Sequence, residues 1–242
     1  HDLAKFSTIK ELDVDSRPCR RPGRLVRAPV EVTPRADTGP RRAAIEKILT
    51  NEPGSDKDPF VAAQSYTLAL YDRDWVAAGR AAPVLHQGPS FEWSFPHLGR
   101  DFWLGVVARL KGDEGSARAA FMSARAQQEQ AISGHPEDVG LLCELGLIAA
   151  GLGRKEEALS EGRRAMEFAA SVKDSDTEPY VKTCFAIICI WTGERELALG
   201  HLEALVKAPG LLTYGNLRLS PLLDPFRGDP RFEKIVNSLT PT

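Results

Sequence analysis

Four alanines, Ala77, Ala117, Ala158 and Ala198, recur forty or forty-one positions apart, and their surroundings recur with them. Five positions before them stand Asp72, Gly112, Gly153 and Gly193, followed by the charged runs Arg73-Asp74, Asp113-Glu114, Arg154-Lys155-Glu156 and Glu194-Arg195-Glu196. Seven positions before the three glycines come Gly105, Gly146 and Ala186, each behind a large apolar residue: Leu104, Leu145, Phe185. This order describes a helical hairpin. A small residue midway along the first helix admits the second, a glycine ends the first helix, and the alanine packs against the small position. One hairpin cannot bury its own apolar face, so a chain built this way has to stack several.

The rest of the pattern agrees. From Ala44 onward apolar residues recur at three- and four-residue spacing, broken by Gly, Pro and Asp. The spacing predicts helices over 41–50, 58–71, 74–86, 97–111, 114–132, 137–152, 155–171, 177–192 and 195–207, with no alternating strand pattern. Short links at Gly112-Asp113, Gly153-Arg154 and Gly193-Glu194 make neighbouring helices antiparallel. The expected fold class is all-α, an α-solenoid of hairpins at about 58–86, 97–132, 137–171 and 177–207, with a closing cap over 211–242.

The first 43 residues differ. Lys5, Lys10 and eight arginines face six acids, a balance of +4, whereas 44–242 carries −6. Between Arg17 and Arg42 lie Pro18, Pro22, Pro29, Pro34 and Pro40, which forbid a continuous helix. This stretch reads as an extended or disordered arm, with a phosphate-, nucleic-acid- or membrane-surface contact as the sharper alternative. The chain opens at His1, so a fragment or processed form tethered to an upstream domain is expected. Over the 242 residues the net charge is −2, which weakens the case for nucleic acid as main partner. The most apolar run, Cys184 to Trp191, is too short to span a bilayer. No secretory leader is legible at the start of the chain. Cys19, Cys143, Cys184 and Cys189 are too few for a disulfide framework. The last three read as buried thiols, and a reducing, cytoplasmic setting is expected.

The residues Leu104-Gly105…Gly112…Ala117…Phe121…Ala124 resemble the tetratricopeptide repeat (TPR) in order and spacing. Leu145-Gly146…Gly153…Ala158…Ala165 and Phe185-Ala186…Gly193…Ala198…Leu202 resemble it again, and the segment around Ala77 has Ser65 at the small position. The period near forty exceeds the roughly 34 of that family. Ala108, Ala149 and Cys189 stand where an inner tyrosine is usual. The segment from Tyr214 to Phe232 is similar to the closing segment of bacterial TPR proteins, whose repeats often follow a Ser/Thr kinase or winged-helix regulator domain. In it Asp229 reads as an N-cap, Pro230 as the first helical residue, and Phe232, Ile235, Val236 and Leu239 as a buried face. Leu219, Leu222, Leu223 and Phe226 are placed on the last hairpin.

The resemblance implies that first helices line a concave face. Its partner-binding positions would be Phe102, Val106 and Arg109, then Cys143, Leu147 and Ala150, then Tyr180, Thr183, Ile187 and Ile190. The set is apolar with a single cation, which argues against a carboxylate clamp and for an amphipathic or extended apolar protein segment. The alternative is that the chain's own cap or arm fills the groove.

Catalytic motifs fail inspection. Gly151-Leu152-Gly153 begins like a phosphate loop, but it follows a helix and reads as a helix-ending turn. GxxxxGK[ST], HExxH, GxSxG and the kinase signatures are absent. His1, His86, His97, His135 and His201 lie far apart, and Cys184 and Cys189 do not form a CxxC, so neither metal nor cofactor is expected. Glu156-Glu157 and Glu194/Glu196 suit helix starts, where the dipole favours negative charge. Arg163 with Glu167 and Glu161 with Arg164 read as ion pairs at helical spacing. Phe91, Trp93, Phe95, Phe102 and Trp103 read as packing under a long link or as a recognition surface. The expected function is therefore non-enzymatic: a scaffold for protein contact, or the regulatory part of a kinase or transcription regulator whose active domain lies outside this chain.

Overall fold

The computed structural model describes residues 36–85, 98–171, 177–207 and 212–241. These are all-helical, with no strand among the described residues. The helices are α1 (Gly39–Asn51), α2 (Pro59–Tyr71), α3 (Trp75–Ala81), α4 (Arg100–Leu110), α5 (Glu114–Gly134), α6 (Val139–Gly151), α7 (Lys155–Ser171), α8 (Thr177–Trp191), α9 (Arg195–Leu205), α10 (Tyr214–Leu219) and α11 (Pro230–Asn237). Short 3₁₀ turns occupy Ser55–Lys57, Ala82–Val84 and Pro221–Phe226. Most of the basic arm, residues 1–35, lies outside the described residues. Its last part does not: α1 begins at Gly39, inside the stretch assigned to the arm, because Pro40 falls in the first turn, where a missing N–H costs nothing. The helix read as 74–86 stops at Ala81, since Pro83 turns the chain into 3₁₀ form.

Aspartates start five of the described helices. Asp58 accepts from the Phe60 and Val61 amides at 2.9 and 3.1 Å, Asp113 from Ser116 at 3.0 Å, and Asp138 from Leu141 at 2.9 Å. Each satisfies amides that the first helical turn leaves without a carbonyl. The first helices end alike. The amides of Asp74, Asp113, Arg154 and Glu194 reach back five residues to the carbonyls of Ala69, Ala108, Ala149 and Cys189 at 2.8–2.9 Å. The residue before each has positive φ: Arg73 at 56°, Gly112 at 78°, Gly153 at 74°, Gly193 at 78°. Four consecutive hairpins thus turn by one geometry, for which glycine is the unstrained choice.

That geometry corrects the first repeat by one residue. The left-handed position is held by Arg73, not by Asp72, so the alanine matching Ala117, Ala158 and Ala198 is Ala78, fully buried, while Ala77 is half-buried. The position matching Gly105, Gly146 and Ala186 is then Tyr66 rather than Ser65. Tyr66 is fully buried and donates its hydroxyl to the Trp103 carbonyl at 3.0 Å. An arginine in left-handed backbone costs roughly 1–2 kcal/mol relative to glycine.

α2 pairs with α3, α4 with α5, α6 with α7 and α8 with α9. The first pair meets α4 through α3 and the 3₁₀ turn Ala82–Val84, and the later pairs pack on one another through α5 with α6, α7 with α8 and α6 with α8. Gly146 lets the backbone of α7 come close. A methyl there would stand 3.2 Å from the Ala158 carbonyl oxygen and 2.8 Å from Ile188. Gly105 and Gly151 instead receive the Phe121 ring, and Gly162 receives Phe185. One continuous core results, from Ala62 through the hairpins to Val236.

The chain closes as the sequence indicates, with one addition. Asp229 caps α11 through the Arg231 and Phe232 amides at 2.7 and 3.1 Å, and Phe232, Ile235 and Val236 are buried. Leu223 and Phe226 are buried, while Leu219, Leu222 and Leu239 are half-buried. The addition is α10, which opens with a reciprocal Thr213–Asn216 capping box and buries Leu217 completely.

Candidate functional site

The residues read as a concave wall sit on the first helices α4, α6 and α8, as the periodicity requires, but they do not border open solvent. Phe102, Val106, Cys143, Leu147, Ala150, Thr183, Ile187 and Ile190 are all buried, and Tyr180 is half-buried. What covers them is the chain itself. Phe102 stacks on Trp191 with ring centroids 6.2 Å apart and planes 21° from parallel, and it meets Phe121 and Trp103 edge-on at 5.7 and 4.9 Å. First helices two hairpins apart therefore touch across the inner side. The expectation of an open apolar groove on these positions is corrected: they are core.

Arg109 is the exception. It stands exposed in the last turn of α4. Its guanidinium lies 5.1 Å over the Trp191 ring and points at the carbonyls of Gly151 and Trp191, each 3.4 Å away. Those carbonyls end α6 and α8. One cation thus serves the C-terminal ends of two helices beyond its own, where partial negative charge collects. Desolvation lowers its pKa from the usual arginine value.

A polar cluster lies between α5, α6 and α8. Glu144 is fully buried, accepting from Gln128 Nε2 at 3.2 Å and from the Tyr180 hydroxyl at 3.0 Å. Cys143 and Cys184 adjoin it, both fully buried. Burial pushes the Tyr180 phenol and the Cys184 thiol well above their ordinary values, and the neighbouring cysteine and carboxylate push the same way. Burial takes the Cys189 thiol up to about 12. Such thiols are protonated and inert, the state expected of small buried hydrophobes and the opposite of a nucleophile's. The cluster was not read from the sequence, although a lone acid inside Leu141-Leu142-Cys143-Glu144-Leu145 was its trace.

The acids at helix starts tie hairpins together. Glu157 takes Arg125 of the preceding hairpin at 2.5 Å, Glu194 takes Lys155 at 2.6 Å, and Glu196 takes Arg231 at 2.9 Å. Arg125 holds the Glu157 carboxyl below the usual carboxylate range. Arg164 pairs with Glu161 at 3.7 Å. Gly153 is a helix-ending turn. Among the described residues no group of three His, Cys, Asp or Glu side chains could hold a metal, and no helix is long and apolar enough to cross a membrane. Phe91, Trp93, Phe95, His86 and His97 lie outside the described residues, whereas Phe102 and Trp103 pack in the core. With these positions buried, the large apolar side chains left exposed among the described residues are Leu49 on α1, Val76 on α3, Met122 on α5 and Leu197 on α9.

No family model, curated protein or solved structure matches this chain.

Proposed function

We propose that this chain is a cytoplasmic, non-enzymatic scaffold of TPR-like hairpins arranged as an α-solenoid, and that it binds a protein partner as part of a larger bacterial regulator. The observation that carries the reading is the repetition of one hairpin turn at Arg73, Gly112, Gly153 and Gly193, followed by a separately capped closing segment. Repeats that differ in sequence but share one turn geometry make an extended surface, and a shielded end keeps it soluble. Because the inner positions are core, contact with a partner falls to the outer helices. There Val76 is 60% exposed, Met122 43% and Leu197 41%. Exposed apolar side chains of this kind would serve as anchors for an apolar or amphipathic protein segment. The same surface would serve the regulatory part of a kinase or winged-helix regulator.

Affinity capture with the full chain, repeated with purified candidate partners, tests this. Direct binding is expected, and Val76→Asp, Met122→Asp or Leu197→Asp should weaken it roughly tenfold or more, as loss of a well-packed anchor does, with the circular dichroism spectrum unchanged. A purified chain that binds none of its captured proteins, or binding that survives all three changes, removes the outer-helix reading.

A further inference from the structure

The end of α2 and the closing segment meet although 146 to 151 residues separate them. We propose that Arg73 is a releasable latch, fastening the first hairpin to the closing segment so that the array is held with its two ends together. Three observations carry this. First, the three equivalent hairpin turns all use glycine, so the backbone gives no reason for an arginine at 73, and the position must be valued for its side chain. Second, that side chain bridges both ends. Arg73 Nη1 donates to the Tyr71 carbonyl at 2.8 Å and to the Leu219 carbonyl at 3.3 Å, and Nη2 donates to Asp224 Oδ1 at 2.7 Å. Third, a separate buried bond joins the same two elements: Asn216 Nδ2 donates to the Tyr71 hydroxyl at 3.2 Å.

The arrangement is graded like a catch. The Tyr71–Asn216 contact is buried, whereas the Arg73–Asp224 pair is solvent-exposed, with the two side chains 40% and 43% accessible. Exposed pairs are weakened by salt and open to competition. Asp224 is also held by Arg227 at 3.4 Å, and Arg227 in turn donates to the Leu217 and Ser220 carbonyls. The closing segment is therefore locally organised, and Arg73 supplies its tie to the other end. What the latch holds down is the 3₁₀ turn Pro221–Phe226, which packs on α8 and buries Leu223 and Phe226. Releasing Arg73 frees one side of that cover, and the α8 face beneath it becomes reachable. This property belongs to the chain alone and stands whether or not the outer helices bind a protein.

Hydrogen exchange on the full chain reads the latch. The amides of Leu217, Ser220, Leu223 and Arg227 are hydrogen-bonded within the closing segment. In Arg73→Gly and in Asp224→Asn these amides are expected to exchange roughly tenfold faster, while amides of α6 and α7 keep wild-type protection. Wild type in about 1 M salt should shift in the same direction. The first substitution also relieves the left-handed backbone and the second does not, so agreement between them separates the latch from the turn. In the double variant the two accelerations should combine to less than their product, because both substitutions remove the Arg73–Asp224 contact. Unchanged exchange over 214–227 in both variants overturns the proposal. So do effects that multiply in the double variant, or a general loss of protection, which would make Arg73 a folding residue.

Discussion

At Gly162 an added methyl would lie 2.5 Å from the Phe185 ring, and at Gly200 it would meet nothing within 4 Å. Both glycines are inside helices, so the bare helix propensity of alanine favours the substitution equally at each. The packing separates them. Gly162→Ala should destabilise the chain by about 1–3 kcal/mol through overpacking, and Gly200→Ala should stabilise it by up to about 1 kcal/mol. Urea denaturation of the pair checks this, and equal midpoints would mean that Phe185 yields at no cost. Gly105 and Gly146 are legible in the sequence because they recur; Gly151 and Gly162 are not, because each takes an aromatic ring from another helix. Glu144 belongs with them. Its partners Gln128 and Tyr180 come from α5 and α8, and no local rule couples residues 16 and 36 positions away.

The elements titrate as capped and cross-linked helices should. Asp101 is held below its ordinary pKa chiefly by the Ser123 hydroxyl, Asp113 by Ser116, and Glu157, Glu203 and Asp229 by Arg125, Arg231 and Arg195. A carboxylate with a depressed folded pKa contributes stability that is present above its unfolded value and lost as pH falls through the folded one. His201 adds a separate step. Burial first, and Lys182 second, lower its pKa below 6.5. The unfolded chain thus takes up that proton more readily, and stability is lost as pH drops below about 6.5. Thermal melts should show the midpoint falling on acidification in two stages, one starting near pH 6.5 and one below about pH 4. His201→Phe should flatten only the first. A His201→Phe profile identical to wild type would place the upper stage elsewhere. Element positions were legible because caps and periodicity are local signals. The shifted first repeat was not, because Arg73 takes a conformation that composition assigns to glycine.

At the scale of the molecule, the inner faces of α4, α6 and α8 close on one another. Ile187 sits there with 1% exposure. Ile187→Asp would bury a carboxylate in the apolar core, a cost of several kcal/mol unless the group takes up a proton. Loss of the cooperative unfolding transition is expected by circular dichroism. A variant as stable as wild type would restore the open groove that the repeat pattern suggests.

The sequence by itself determined most of the helices, the three glycine turns, the hairpin order and the capped end, because each depends on residues within about one or two helical turns of each other. Only the tertiary structure decided that the first helices face one another rather than solvent, that Phe102 stacks on Trp191, and that Arg73 joins the two ends of the array. Those outcomes depend on how far each hairpin rotates against the next. That rotation is set by side chains such as Phe121, Phe185 and Ile188 seated against glycines, and a small change in it, summed over four hairpins, separates an open groove from a sealed core.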